Sequence, residues 1–439
     1  MTARAEHAAA RRSAPAAGRL ARRLPVRLPV LLAQREFRRY WTAQTISMFG
    51  DQISGIAVPL AAVLVLRAGS AQMGYLTALE WLPSLLFGLH AGVLVDRRGR
   101  RRSTMIAADI GRFALLASVP ACYLLGLLTF GQLLAVAFGV GTLSVLFSVS
   151  NSTLFVSLLR KEQYVEANSL IYGSRALSFV GGPSVGGLLV QALSAPVAIF
   201  ADALSYLGSA WFLSRVTAVE PASEASGQGA VTAGASFIAR SPIVRASLLA
   251  VAVINFFDLM FLAIFLLYAV RDLHIGAGEL GLLMGAASVG GVVGAALTKR
   301  IAAAIGEGMA YTIGCLLFVL PLALVPLASG PRPVVLAMLF ASEFGSGFGM
   351  MILDISIGAI FAAVTPHELL ARVSGAFQAV NYGARPLGAL AGGLLGALIG
   401  LRLTIWVSVA GGLLGALLLL PSPLPRFRIT SGGPAEADS

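Results

Sequence analysis

The feature that most constrains this chain is a succession of long apolar runs broken only by short polar turns. They fall at 41–66, 72–95, 103–127, 131–159, 166–192, 196–214, 244–270, 276–298, 308–329, 333–364, 368–399 and 402–421. A helix needs about 20 apolar residues to cross the hydrocarbon core of a bilayer. Inside lipid, only helices and closed barrels satisfy every backbone polar group, and runs of this length read as helices. Only 12% of the residues are charged, about half the share in a soluble domain, so the apolar excess has to face lipid rather than fill a globular core. The sequence predicts an all-α integral membrane protein of twelve transmembrane helices. The first run is too long for the core of a signal peptide and reads as retained.

The net charge of +12 could point to nucleic acid, but its placement points to topology. Twenty-five of the 32 Lys and Arg residues fall on one face of the predicted layout, four on the other (Arg67, Arg271, Arg332, Arg402) and three within spans (Arg112, Arg175, Arg385). The positive-inside rule assigns the crowded face, which holds both termini, to the cytoplasm. No nucleic-acid partner is needed. Residues 1–35 read as a disordered basic tail, 36–216 as a first six-helix bundle, 217–240 as a polar linker, 241–421 as a second bundle and 422–439 as a second tail.

The two bundles echo one another. Tyr172-Gly173-Ser174-Arg175-Ala176-Leu177 is matched 210 residues later by Tyr382-Gly383-Ala384-Arg385-Pro386-Leu387, and Gly74 is matched 207 residues later by Gly281. Such internal symmetry marks transporters built from repeats. GxxxG pairs, which let helix backbones approach closely, fall on symmetry-related spans: Gly88/Gly92, Gly182/Gly186, Gly281/Gly285 with Gly290/Gly294, and the Gly388/Gly392/Gly396/Gly400 series. They are expected where the halves meet.

A charge within a span costs at least about 2.5–3.5 kcal/mol on insertion scales, so each one present is a functional candidate. Asp51, followed by Gln52, is the first choice for a proton or cationic-substrate site. Glu80 and Asp258, the latter near Asn255, come next. Asp109 and Arg112 are three residues apart on one helix and can neutralise one another. Arg175 and Arg385 could meet an anionic group. Glu343 and Asp354 are about three turns apart and can line one face. Cys122 and Cys315 stand alone inside apolar runs, with neither a CxxC nor metal-ligand spacing, and read as packing residues. No metal site, cofactor or hydrolytic motif is visible, nor a GxxxxGK loop followed by Ser or Thr, so this chain is not expected to be an enzyme or to use ATP by itself.

Between spans two and three the chain reads Gly92-Val93-Leu94-Val95-Asp96-Arg97-Arg98-Gly99-Arg100-Arg101-Arg102. This resembles the loop signature of the major facilitator superfamily. Gly181-Gly182-Pro183-Ser184-Val185-Gly186-Gly187 resembles the antiporter signature of its drug-efflux branches. Glu166-Ala167-Asn168-Ser169-Leu170 and Gly50-Asp51-Gln52 resemble the branch of macrolide and siderophore exporters. The likeness covers residues 36 to 421. It implies two pseudo-symmetric six-helix bundles around a central cavity, exposed alternately to each side of a bacterial inner (plasma) membrane. It also implies a monomer that exports a small, partly hydrophobic compound against protons. Asp96 and the surrounding Gly92, Arg97, Gly99, Arg100 and Arg101 would then latch the cytoplasmic side. Drug–proton antiporters usually carry an Arg within span four, and residues 131–159 have none; Arg112 is the candidate to replace it. The alternatives are a proton-coupled nutrient importer, against which the Gly182-Pro183 motif argues, and a non-transporting sensor, for which a sizeable soluble domain would be expected.

The charge asymmetry makes a direct prediction. An Arg332→Cys variant reacts with a membrane-impermeant maleimide in intact cells, whereas Lys161→Cys reacts only after permeabilisation. The reverse pattern would invert the topology.

Overall fold

The computed structural model describes residues 30–98, 100–217, 238 and 240–429. The tails 1–29 and 430–439, nearly all of the predicted linker and Gly99 lie outside the described residues. Twelve long helices follow one another: α1 (Arg35–Leu60, prolonged by a π-helical turn Ala61–Val65), α2 (Ser70–Arg98), α3 (Arg101–Leu124), α4 (Phe130–Ser157), α5 (Tyr164–Ala192), α6 (Ala195–Ser214), α7 (Pro242–Arg271), α8 (Ala277–Ile305), α9 (Glu307–Val319, carried on by turns to Leu327), α10 (Arg332–Val364), α11 (His367–Leu398) and α12 (Leu401–Leu417). Every expected span has its helix. Eight of them are long and apolar enough to cross a membrane by length and composition alone. The other four are α2, α5, α11 and the 17-residue α12, and the first three carry the polar and glycine-rich motifs.

Local chemistry sets several helix starts. Thr129 caps α4 by accepting from the Gln132 amide at 3.3 Å. Ser241 does the same for α7, ahead of Pro242 at the first position, where a missing amide proton costs nothing. The α8–α9 connection turns through Gly306 at φ +92°, a conformation that a side chain would oppose.

Within the first half α1 packs on α5 and α6, α4 on α2 and α3, and α3 on α6. The second half repeats the core of that pattern, with α7 on α11 and α12 and α10 on α8 and α9. The halves meet along α2–α11 and α5–α8, which are symmetry mates. Their closest approach is also symmetric. A Cβ on Gly74 would lie 2.8 Å from the Gly393 Cα, and one on Gly187 would lie 2.8 Å from the Gly281 Cα. Ser184 Oγ donates to the Gly281 carbonyl at 3.3 Å, Ser288 Oγ to the Phe179 carbonyl at 2.6 Å, and Arg271 to the Arg67 and Ala68 carbonyls at 3.0 and 2.9 Å. These contacts lie between the middle of the helices and the end remote from the arginine-rich loops.

The glycine expectation needs correcting in part. Gly281 and Gly285 do sit on the seam, but Gly182 and Gly186 face Gln52 and Ile53 of α1, Gly290 and Gly294 face α10, and Gly388 and Gly392 face α7. Gly88 has nothing within 4 Å of an added Cβ. A GxxxG pair admits a close neighbour without choosing which one, and most of these pairs seat the seam helices on their own half.

Bulk at the seam should therefore be costly. Gly281→Val forces a Cβ into the Pro183 carbonyl, 2.5 Å away, and overpacking of this kind costs about 1–3 kcal/mol. A clear drop in melting temperature in detergent is expected, with Gly173→Ala, which meets nothing, as the unaffected control.

Candidate functional site

A cavity of about 970 Å³ opens between the halves. It runs from Val58 and Leu76 in the middle of the body to Tyr40, Phe155 and Asn168 near the arginine-rich end. Its wall comes mostly from α1, α2, α4 and α5. The second half contributes Gly375, Gln378, Ala379 and Tyr382 of α11.

Asp51 projects from α1 into this cavity and accepts a hydrogen bond from the Tyr206 hydroxyl of α6. Arg112 and Arg175 are within electrostatic reach of it. Arg112 is itself bound to Asp109 in a buried ion pair, so the sequence-level pairing is realised. Its guanidinium carbon also lies 4.4 Å from the Phe147 ring centroid and 4.2 Å from that of Tyr206, and its Nη1 reaches Ser144 of α4 at 3.5 Å. Arg112 thus places positive charge against the arginine-free fourth helix. Gln52 and Glu80 also line the cavity, as does Arg175. Among the described residues Glu80 has no hydrogen bond or ion pair.

The remaining candidates form a second group, away from the cavity wall. Arg385 donates from Nε to Asn255 Oδ1 at 3.2 Å, and its guanidinium carbon sits 4.2 Å from the Trp81 ring centroid. Trp81 stacks on Tyr382 with centroids 6.2 Å apart and planes 24° apart. The stack spans the α2–α11 seam. Behind it, Arg385 acts electrostatically on Asp258 and Asp354, and Glu343 lies beside Asp258. Asp258 borders a separate void of about 10 Å³ enclosed by α7, α9 and α12. Asp258, Asn255, Glu343, Asp354 and Arg385 therefore do not share a wall with Asp51: Asp354 of α10 is exposed elsewhere, and the other four, on α7, α10 and α11, are half-buried.

The glycine motif of α5 holds α1 in place. Gly182 leaves room for the Gln52 side chain, whose Cβ would otherwise meet an added Cβ at 2.4 Å, Gly186 faces Ile53 and Gly181 faces Phe49. Gly187 and the Pro183 carbonyl reach across to Gly281 of α8. The helix passes through Pro183 without interruption. In the loop motif, Gly92, Asp96 and Arg97 lie in the last turns of α2, but their side chains, like Gly99, lie outside the described residues. Arg100 precedes α3 and Arg101 is buried. Arg102 binds the Leu213 carbonyl at 2.9 Å and that of Ser214, tying this loop to the end of α6.

Sequence reasoning singled out neither Tyr206 nor Asp202 as part of the site. The signal was present: Asp202, Ser205, Tyr206 and Ser209 recur at one-turn spacing along α6 and form a polar stripe. Asp258 also follows Asp51 by 207 residues, the same offset as Gly281 from Gly74. The two acids are symmetry mates, each within reach of one of the paired arginines Arg175 and Arg385.

Over residues 29–435 the chain matches the MFS family described as transmembrane secretion effectors. It is 27% identical over 394 residues to the uncharacterized MFS-type transporter YfiS of Bacillus subtilis strain 168, covering 86% of this chain and 91% of that protein. Its fold is similar to that of a bacterial homologue of the iron transporter ferroportin in an inward-facing state, with a TM-score of 0.71 and 17% identity over 88% of this chain and 98% of that one. A bacterial homologue of the lysosomal transporter Spinster, inward-facing and unoccupied, gives 0.68 and 14% over 90% and 98%.

The buried ion pair makes a stability prediction. Removing one partner of such a pair costs about 3–5 kcal/mol, whereas replacing both by apolar groups is far milder. Asp109→Ala should lower the melting temperature sharply, and Asp109→Leu with Arg112→Met should recover most of it. Equal melting of the single variant and wild type would show the pair contributes nothing.

Proposed function

Because the chain belongs to the MFS family described as transmembrane secretion effectors, we propose that it exports a small, partly hydrophobic compound, such as a drug, a macrolide or a siderophore, in exchange for protons. The observation that carries the reading is the position of Asp51, a carboxyl deep in the body that opens onto the central cavity beside Tyr206, Arg112 and Arg175. The arginine-rich end is taken as cytoplasmic, the membrane as the plasma membrane of a bacterium, and the working unit as a single chain.

In this state the cavity faces the cytoplasm while the Gly74–Gly393 and Gly187–Gly281 contacts close the other side. Asp51 loses its proton to the cytoplasm and is left as a carboxylate that holds polar or cationic groups of the substrate. The halves then rock about the seam, and the cavity opens outward. A proton from outside neutralises Asp51, weakens its grip, and the substrate leaves. Proton and substrate thus occupy the site by turns, and the exchange follows from that exclusion. The family name supports outward movement, as does the likeness of Gly181–Gly187 to the antiporter signature. By the same likeness, Asp96 would latch the cytoplasmic side when the cavity faces out. The mixed lining of carboxyl, amide, guanidinium and aromatic groups suits an amphiphilic cargo.

The test uses inverted membrane vesicles acidified inside, with a pH dye reporting proton release as antibiotics and siderophores are added. A compound on the path dissipates the gradient with wild type and fails to do so with Asp51→Asn. An equal response from both moves the coupling acid elsewhere, with Glu80 and Asp258 next. Accumulation of the same compound by intact cells, instead of exclusion, would reverse the direction of transport.

A further inference from the structure

Near Asp51, on α6, a second carboxyl borders the same cavity. Asp202 is 0% exposed, and Gly50 is what brings it there. A Cβ on Gly50 would fall 2.1 Å from Asp202 Oδ1 and 2.0 Å from Ser205 Oγ, so α1 and α6 touch at this level with no side chain between them. Ser205 donates to Asp202 Oδ1 at 2.9 Å. Asp202 Oδ2 has no hydrogen-bond partner, and neither has the buried Oγ of Ser54, one turn beyond Asp51 on α1. Among the described residues no basic side chain forms an ion pair with Asp202, since Arg112 is bound to Asp109.

These orphaned atoms are not scattered. Of the eleven buried side-chain atoms without a partner among the described residues, five gather where α1, α3 and α6 meet: Ser54 Oγ, Asp109 Oδ2, Arg112 Nε, Asp202 Oδ2 and Ser209 Oγ. Unpaired buried polar atoms are rare and each calls for a reason. An isolated carboxylate away from water is very costly, and a neutral carboxylic acid is much less so. Asp51 lies within electrostatic reach of Asp202, and two carboxylates at such range repel one another. One proton on Asp202 Oδ2 removes the charge and turns that oxygen into a donor, whose hydrogen bond the Ser54 hydroxyl facing Asp202 can accept.

We propose that Asp202 is a second proton-binding carboxyl, which shares one proton with Asp51 across the α1–α6 contact and makes the coupling site a carboxyl pair. The groups facing the pair are Tyr206 of α6, which donates to Asp51, Arg112 and Asp109 of α3, bound to one another, and Arg175 of α5. In the transfer the O–H bond on Asp202 breaks as one forms on an Asp51 oxygen. The pair keeps its total charge of one negative, and nothing is oxidised or reduced. Both acids border the cavity, but Asp51 is the exposed one and Asp202 is fully buried, so Asp51 exchanges the proton with water and Asp202 stores it while substrate is bound. Its role in transport rests on the reading of Asp51 as the coupling acid.

The test reads the proton itself and needs no substrate. Infrared spectra of the purified full chain in lipid, at neutral pH, are compared between wild type and Asp202→Asn in the region of the protonated-carboxyl C=O stretch. Loss of one deuterium-sensitive band in the variant is expected, and Asp258→Asn should retain it. Ser54→Ala, which removes only the acceptor, should keep the band and shift it to higher frequency. If Asp202→Asn does not fold, the Ser54→Ala shift decides, and its absence overturns the proposal. An unchanged band in folded Asp202→Asn also overturns it. Either result stands apart from the vesicle assay, because a protonated Asp202 is detected whether or not any compound moves protons.

Discussion

At four glycines the two halves touch through bare backbone, Gly74 against Gly393 and Gly187 against Gly281. Lipid tails are as apolar as leucine, so the hydrophobic effect does little to hold transmembrane helices together, and close packing with backbone hydrogen bonding has to do it. Here the approach is close enough for Ser184 and Ser288 to donate across the seam to carbonyls of the opposite half. A contact made of backbone is short-ranged and presents little interlocking side chain, which suits surfaces that separate and re-form. Everything in the cavity depends on it, because these contacts seal one end and leave the polar interior open toward the other.

The second constraint is charge. Seven carboxyls (Asp51, Glu80, Asp109, Asp202, Asp258, Glu343, Asp354) and three arginines (Arg112, Arg175, Arg385) lie within the helices away from their ends, each costly in lipid, and the fold gathers most of them into two groups that descend from one repeat. Asp51 with Arg175 corresponds to Asp258 with Arg385. The copies have diverged in access. In the first half the acid opens onto the cavity and the arginine lines it. In the second half Arg385 is stacked on Trp81 of the opposite half, with Asp258 behind it beside a void the size of one water. A guanidinium over an aromatic face is stabilised without a carboxylate, so Arg385 can bridge the seam and still act on Asp258 and Asp354. One half thus serves the cavity, while the other ties its charges to the contact between the halves.

Spacing along the chain left the neighbours of several residues open, and for one reason. Glu343 and Asp354 have the spacing of one helical face, and Asp258 sits at the depth of Asp51, yet none of them reaches the cavity wall. The GxxxG pairs marked α2, α5, α8 and α11 as close-packing helices, yet most of their glycines face their own half. Spacing along a helix says which residues share a side. It says nothing about which neighbour that side meets, since the rotation of each helix about its axis is set by all its partners at once.

The sequence by itself determined the number of spans, the division into echoing halves, the helices that form the seam and the pairing of Asp109 with Arg112. These depend on hydropathy, on internal offset and on contacts within one turn, all of which are properties along the chain. Only the tertiary structure decided that Tyr206 binds Asp51, that Arg112 lies against Phe147 and Ser144, that Gly50 lets Asp202 approach α1 next to Asp51, and that Arg385 rests on Trp81. Each of these joins residues on different helices through a particular helix rotation and depth. Those are fixed by side-chain volumes and backbone approach in three dimensions, where the missing Cβ of one glycine decides whether two acids meet.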